Sequence, residues 1–245
     1  MRLTWVGASV VLALFCAAVA LRLGAEGPSP WPVDFALMPL AGTLTCGLPG
    51  AVAAAHAPRN AVGWLMLAIG LCLGTAALCG EWADRALAEP GGGGEAALWV
   101  SQWLWVPGFC LVPTLLLLLY PDGGLPGPRW RPVAWAGVMG VAATTLWWAT
   151  APYADLDVPP PYPGTESLLA APELSGVLSW GAVLLVAAGA GSLASLAVRL
   201  RRSSGLERRQ VELVLVGGAL TAALLAVAVA LGDSGAPLSA AAMLP

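Results

Sequence analysis

The sequence predicts an all-α, polytopic membrane bundle. Two compositional facts and one pattern predict it. The 245 residues are 58% hydrophobic and only 10% charged, with a mean hydropathy of +0.79. A soluble domain carries about a quarter charged residues, so this chain cannot clothe a water-facing surface. The apolar residues fall in runs long enough to cross a hydrocarbon core of about 30 Å as helix. Alternation at period two is absent, which argues against an outer-membrane barrel.

Seven runs qualify: residues 3–21, 35–55, 61–80, 97–120, 132–151, 174–198 and 211–231. None has an acid or a base in its middle. The first run follows Arg2 and has the length of a retained helix rather than of a signal-peptide core. Prolines 39, 49, 107 and 113 interrupt the second and fourth runs. The outer loops hold an acidic glycine turn at residues 89–95 and a Pro-rich stretch, Pro159-Pro160-Pro161-Tyr162-Pro163, expected to be extended.

Charge then orients the spans. The chain has no lysine, and all eleven basic residues are arginines. Arg2, Arg59, Arg129, Arg131, Arg199, Arg201, Arg202, Arg208 and Arg209 fall on one side, with only Asp122, Glu207 and Glu212 as acids there. The other side holds Arg22 and Arg85 and eleven acids. By the positive-inside rule the arginine-rich side is cytoplasmic, so the N-terminus is expected inside and the membrane to be the cytoplasmic (plasma) membrane.

Several chemistries are excluded or left without support. Without lysine there is neither a Walker-type phosphate loop nor a Schiff base. No basic patch suits a nucleic acid. His56 is the sole histidine and Cys16, Cys46, Cys72, Cys79 and Cys110 are scattered, so no metal set is expected. An ion-coupled transporter keeps ionisable groups within the bilayer, and these spans offer hydroxyls and the amide of Gln102 instead. Gln102 lies among Trp99, Trp103 and Trp105, which would form either a shallow outer pocket or an interfacial aromatic belt. Catalytic residues and cofactors are expected to be absent.

The inner turns carry motifs. Pro58-Arg59-Asn60-Ala61-Val62-Gly63-Trp64-Leu65 joins the second and third spans. Tyr120-Pro121-Asp122-Gly123-Gly124-Leu125-Pro126 ends the fourth and runs into Gly127-Pro128-Arg129-Trp130-Arg131-Pro132. Arg201, Arg202, Glu207, Arg208 and Gln210 belong to a basic linker before the seventh span. In order and spacing these three motifs resemble the N-terminal membrane region of actinobacterial sensor histidine kinases, the multi-span type that partners response regulators with a helix-turn-helix output domain. The departures are Ala61 for a proline, Gly124 for an arginine and Arg209 for a glutamine.

The resemblance implies a signal-input region in a two-component phosphorelay. Residues 1–231 would form the input bundle. Residues 232–245 would be an outer segment and the start of an eighth span, since Pro237–Leu244 reads as an apolar run cut short. ATP and Mg would belong only to a kinase core that this sequence does not contain, so the chain itself is expected to lack kinase activity. Implied partners are the lipid bilayer, a second copy of the chain and, through a kinase core, a response regulator. The other readings are a small membrane transporter and a membrane assembly protein.

Overall fold

The computed structural model describes residues 2–24, 33–88, 93–156 and 167–202. They are helical and contain no strand. The seventh predicted span, Glu207, Arg208, Gln210, the run at 237–244, the Pro159–Pro163 stretch and residues 89–92 of the glycine turn lie outside the described residues. The chain forms two compact units, Met1–Leu193 and Ala194–Pro245.

Six segments are long and apolar enough to cross a membrane. The elements are α1 (Arg2–Leu23), α2 (Val33–His56), α3 (Ala61–Ala88), α4 (Glu95–Cys110) and a π-helical turn (Val112–Leu116). They continue with α5 (Leu117–Leu119), α6 (Arg131–Thr150), α7 (Ser175–Leu178) and α8 (Trp180–Arg202). The first six predicted spans are therefore helical, each with ends within a few residues of those expected, apart from α3. At 28 residues α3 is about 42 Å long by helical rise and overruns a hydrocarbon core of about 30 Å. Its extra turns hold Glu81, Asp84 and Arg85.

Those extra turns are held by α1. Arg22 pairs with Glu81 at 3.3 Å, and Arg85 donates to the Leu21 carbonyl at 3.1 Å. The last carbonyls of a helix have no partner within it, so Arg85 serves as a cap supplied from another helix.

Helices α2 and α3 make the most extensive contact. A methyl added at Gly63 would stand 2.5 Å from Ala54 N, and one at Gly70 2.6 Å from Gly47 N. Backbone meets backbone there. In lipid, where burying apolar surface gives no advantage between helices, such close approach is what allows dispersion to hold two helices together. Val11, Ala51 and Leu67 pack beside this contact with Leu48, Trp64 and Leu71 around them.

Pro113 explains the break after α4. It has no N–H, and its ring crowds the carbonyl four residues back. The ladder shifts to a π pattern, with Leu116 N bonded to the Leu111 carbonyl at 2.9 Å. The Thr114 hydroxyl closes onto the Cys110 carbonyl at 2.6 Å. The Thr114 carbonyl accepts from the fully buried Ser192 hydroxyl of α8 at 2.8 Å. Pro107, by contrast, is carried within α4.

Candidate functional site

The second helix ends at His56, whose Nδ1 donates to the Val52 carbonyl at 2.8 Å. Ala57 N still bonds to the Ala53 carbonyl at 2.8 Å, and Asn60 N to the Ala57 carbonyl at 2.9 Å. These bonds close the turn in four residues. The Asn60 Oδ1 then accepts from Val62 N at 2.9 Å, which caps the first turn of α3. Trp64, one turn further, donates from its indole N–H to the Pro58 carbonyl at 3.0 Å.

The other half of the site comes from the end of α5. Tyr120 N bonds to the Leu116 carbonyl at 3.0 Å and Gly123 N to the Leu119 carbonyl at 2.8 Å. The Tyr120–Pro121 peptide is cis. Gly123 has φ +76°, a left-handed conformation that a side chain disfavours. Space forbids one as well: a methyl there would lie 2.5 Å from Ala61 N and 3.0 Å from Asn60 Cα.

One side chain joins the two halves. Asn60 Nδ2 donates to the Pro121 carbonyl at 2.8 Å, across 61 residues of sequence. The amide of Asn60 thus works in two directions, with its oxygen on α3 and its nitrogen on the following turn. The two motifs read separately from the sequence form one surface. An open depression of about 630 Å³ there is lined by Ala57, Pro58, Arg59, Asn60 and Asp122.

Downstream, Pro128–Trp130 forms a 3-10 turn that opens α6. The Arg129 guanidinium carbon lies 5.8 Å from the centroid of the Trp130 ring. Arg129 and Arg131 are exposed and Trp130 is half-buried. Arg201 and Arg202 close α8 in the second unit, and Arg201 is exposed.

The tryptophans at the opposite end do not act as one wall. Trp99 and Trp103 meet edge-to-face at 5.5 Å, and the Trp99 indole donates to the Ala149 carbonyl at 2.8 Å. Trp105 packs instead on Trp148 of α6 at 4.9 Å and on Phe109 at 5.9 Å. Its indole N–H reaches the backbone carbonyl of Gln102, at 2.9 Å. Trp147 and Trp148 border a buried cluster of Ala83, Leu98, Ala151, Tyr153 and Leu156. These rings pack against neighbours and tie α4 to α6.

The hydroxyls within the spans are largely consumed locally. Thr43, Thr45 and Ser101 bond to carbonyls three or four residues back, at 2.7, 2.9 and 2.7 Å. Among the described residues no three His, Cys, Asp or Glu groups converge as a metal site. Two arrangements had no signal in the sequence. The Ser192–Thr114 bond depends on which helix faces the π turn. The Arg22–Glu81 pair joins residues from segments that read as separate loops.

Comparison with family models, with curated proteins and with solved structures finds no match.

Proposed function

We propose that this bundle is the membrane input region of a two-component sensor histidine kinase, sited in the plasma membrane with its arginine-bearing turns in the cytoplasm. The observation that carries the reading is the Asn60–Pro121 bond. It fastens the two turn motifs that resemble those of such kinases into a single rigid surface. Positioning needs rigid groups, and this one has a helix cap, a glycine turn and an indole bond within a few residues.

In this reading the turn surface is a fixed platform within the bundle. A signal that favours one packing of the bundle shifts the spacing or rotation of the helix leading to the kinase core. Such a shift is bounded by the difference in the signal's affinity for the two packings.

The test uses native membranes. The polypeptide carrying this bundle is immunoprecipitated under mild detergent and supplied with radiolabelled ATP and Mg. An acid-labile, base-stable phosphoryl label on that polypeptide, or on a kinase held by it, is expected. The absence of any such label, with a known sensor kinase labelled in parallel, overturns the proposal.

A further inference from the structure

The arginines of the two joined turns differ from the pair at the opposite end. At one end both are engaged within the protein: Arg22 with Glu81 and Arg85 with the Leu21 carbonyl. At the other end Arg59, Arg129 and Arg131 are all exposed. None of these three forms an ion pair among the described residues, and Arg129 is held over an indole rather than a carboxylate. Arginine is a strong donor to phosphate oxygens, because its planar fork can give two parallel bonds.

Position adds to charge. The Asn60–Pro121 bond brings the turn bearing Arg59 against the turn that leads into Arg129 and Arg131. Trp130 sits between the latter two and is half-buried, with part of its ring at the surface. Tryptophan rings are enriched at the headgroup level of a bilayer. Both turns also lie at the ends of apolar helices. The three guanidinium groups are therefore carried at the depth where lipid phosphates lie. The one acid on the depression is Asp122, so positive charge prevails across the two turns.

We propose that the paired turns at this end form a binding surface for anionic phospholipid headgroups, with Arg59, Arg129 and Arg131 as the phosphate-binding groups and Trp130 as the depth anchor. The proposal stands independently of the sensor reading, because it concerns only the lipid held and not the signal passed.

The experiment reconstitutes the full chain in phosphatidylcholine nanodiscs. Spin-labelled phosphatidylglycerol, phosphatidylethanolamine and phosphatidylcholine are compared as probes of the motionally restricted lipid. Phosphatidylglycerol is expected to be enriched severalfold over both others. Raising salt from about 0.1 M to about 1 M shortens the screening length from about 10 Å to about 3 Å and should erase most of that enrichment. Each of Arg59→Gln, Arg129→Gln and Arg131→Gln should lower it, by up to about fivefold at low salt. The three Arg→Lys substitutions together keep the charge and should preserve most of it.

Equal retention of the three lipids overturns the proposal. So does a preference for phosphatidylethanolamine, or undiminished enrichment in all three single glutamine variants. Inorganic phosphate at matched ionic strength should leave the enrichment intact; displacement by it would assign the arginines to free phosphate and overturn the lipid reading. If a variant elutes as aggregate, the salt and lipid series on the unaltered chain still decides the outcome.

Discussion

Asn60 offers the sharpest test of how the turn surface is held, because its two bonds can be removed separately. Asn60→Ser keeps a short side-chain oxygen that can cap Val62 N but cannot reach the Pro121 carbonyl. Asn60→Ala loses both bonds. The cap is worth about 1 kcal/mol, within a range of about 0.5–2. The bond to Pro121 adds about 0.5–1.5 kcal/mol, and the stranded carbonyl is only half-buried, so the lower part of that range applies. Asn60→Ser is thus expected to cost about 0.5 kcal/mol and Asn60→Ala about 1.5 kcal/mol. Reversible unfolding in mixed micelles by increasing sodium dodecyl sulfate fraction reads both values. Amide exchange separates the sites. Asn60→Ser should speed exchange in 120–126 while leaving 61–64 protected, and Asn60→Ala should speed both. Equal losses for the two variants, or unchanged exchange in 120–126, would refute the view that this amide links the turns.

Three further outcomes are expected. Gly70→Val would force α2 and α3 apart at their backbone contact beside Gly47, and should cost several times as much as Gly80→Ala, whose added methyl meets nothing nearer than 3.8 Å; equal micelle unfolding midpoints would contradict the packing. A maleimide that cannot cross membranes should label Leu169→Cys in intact cells, because Leu169 is 57% exposed at the end opposite the arginine turns; labelling only after lysis would reverse the orientation. Burial pushes the Tyr153 phenol up to about 12, so folding loses stability as pH rises from about 10, where the unfolded phenol ionises, toward 12. Tyr153→Phe should flatten that alkaline loss, and at neutral pH it should be tolerated because the buried hydroxyl has no hydrogen-bond partner.

The spans were readable because apolar run length is a one-dimensional property, and α1, α2 and α6 end close to where hydropathy ends. Charge misleads at the far end of α3. Glu81, Asp84 and Arg85 read as loop, yet the helix continues because Arg22 and the Leu21 carbonyl give two of them partners. The prolines of the fourth span were visible but not their unequal effects. Pro107 stays helical, whereas Pro113 opens a π turn, and the Thr114 and Ser192 hydroxyls that bond around it belong to different helices. At the site, the turns themselves were evident from Pro, Asn and Gly. Their union was not, because one amide spanning 61 residues leaves no periodicity to read.

The fastening of α1 has a consequence for biogenesis. A helix joined to its neighbours only by the chain would drift into the bilayer once a protease cut the connecting peptide. Here α1 is also gripped by an ion pair and by a guanidinium on its terminal carbonyl, and it packs on both α2 and α3. Severing the chain after residue 24 would therefore yield two fragments that travel as one particle on a native gel and part only in denaturant. Expressed as two separate polypeptides, the same pieces should find each other in the membrane, with Glu81 and Arg85 as the latch.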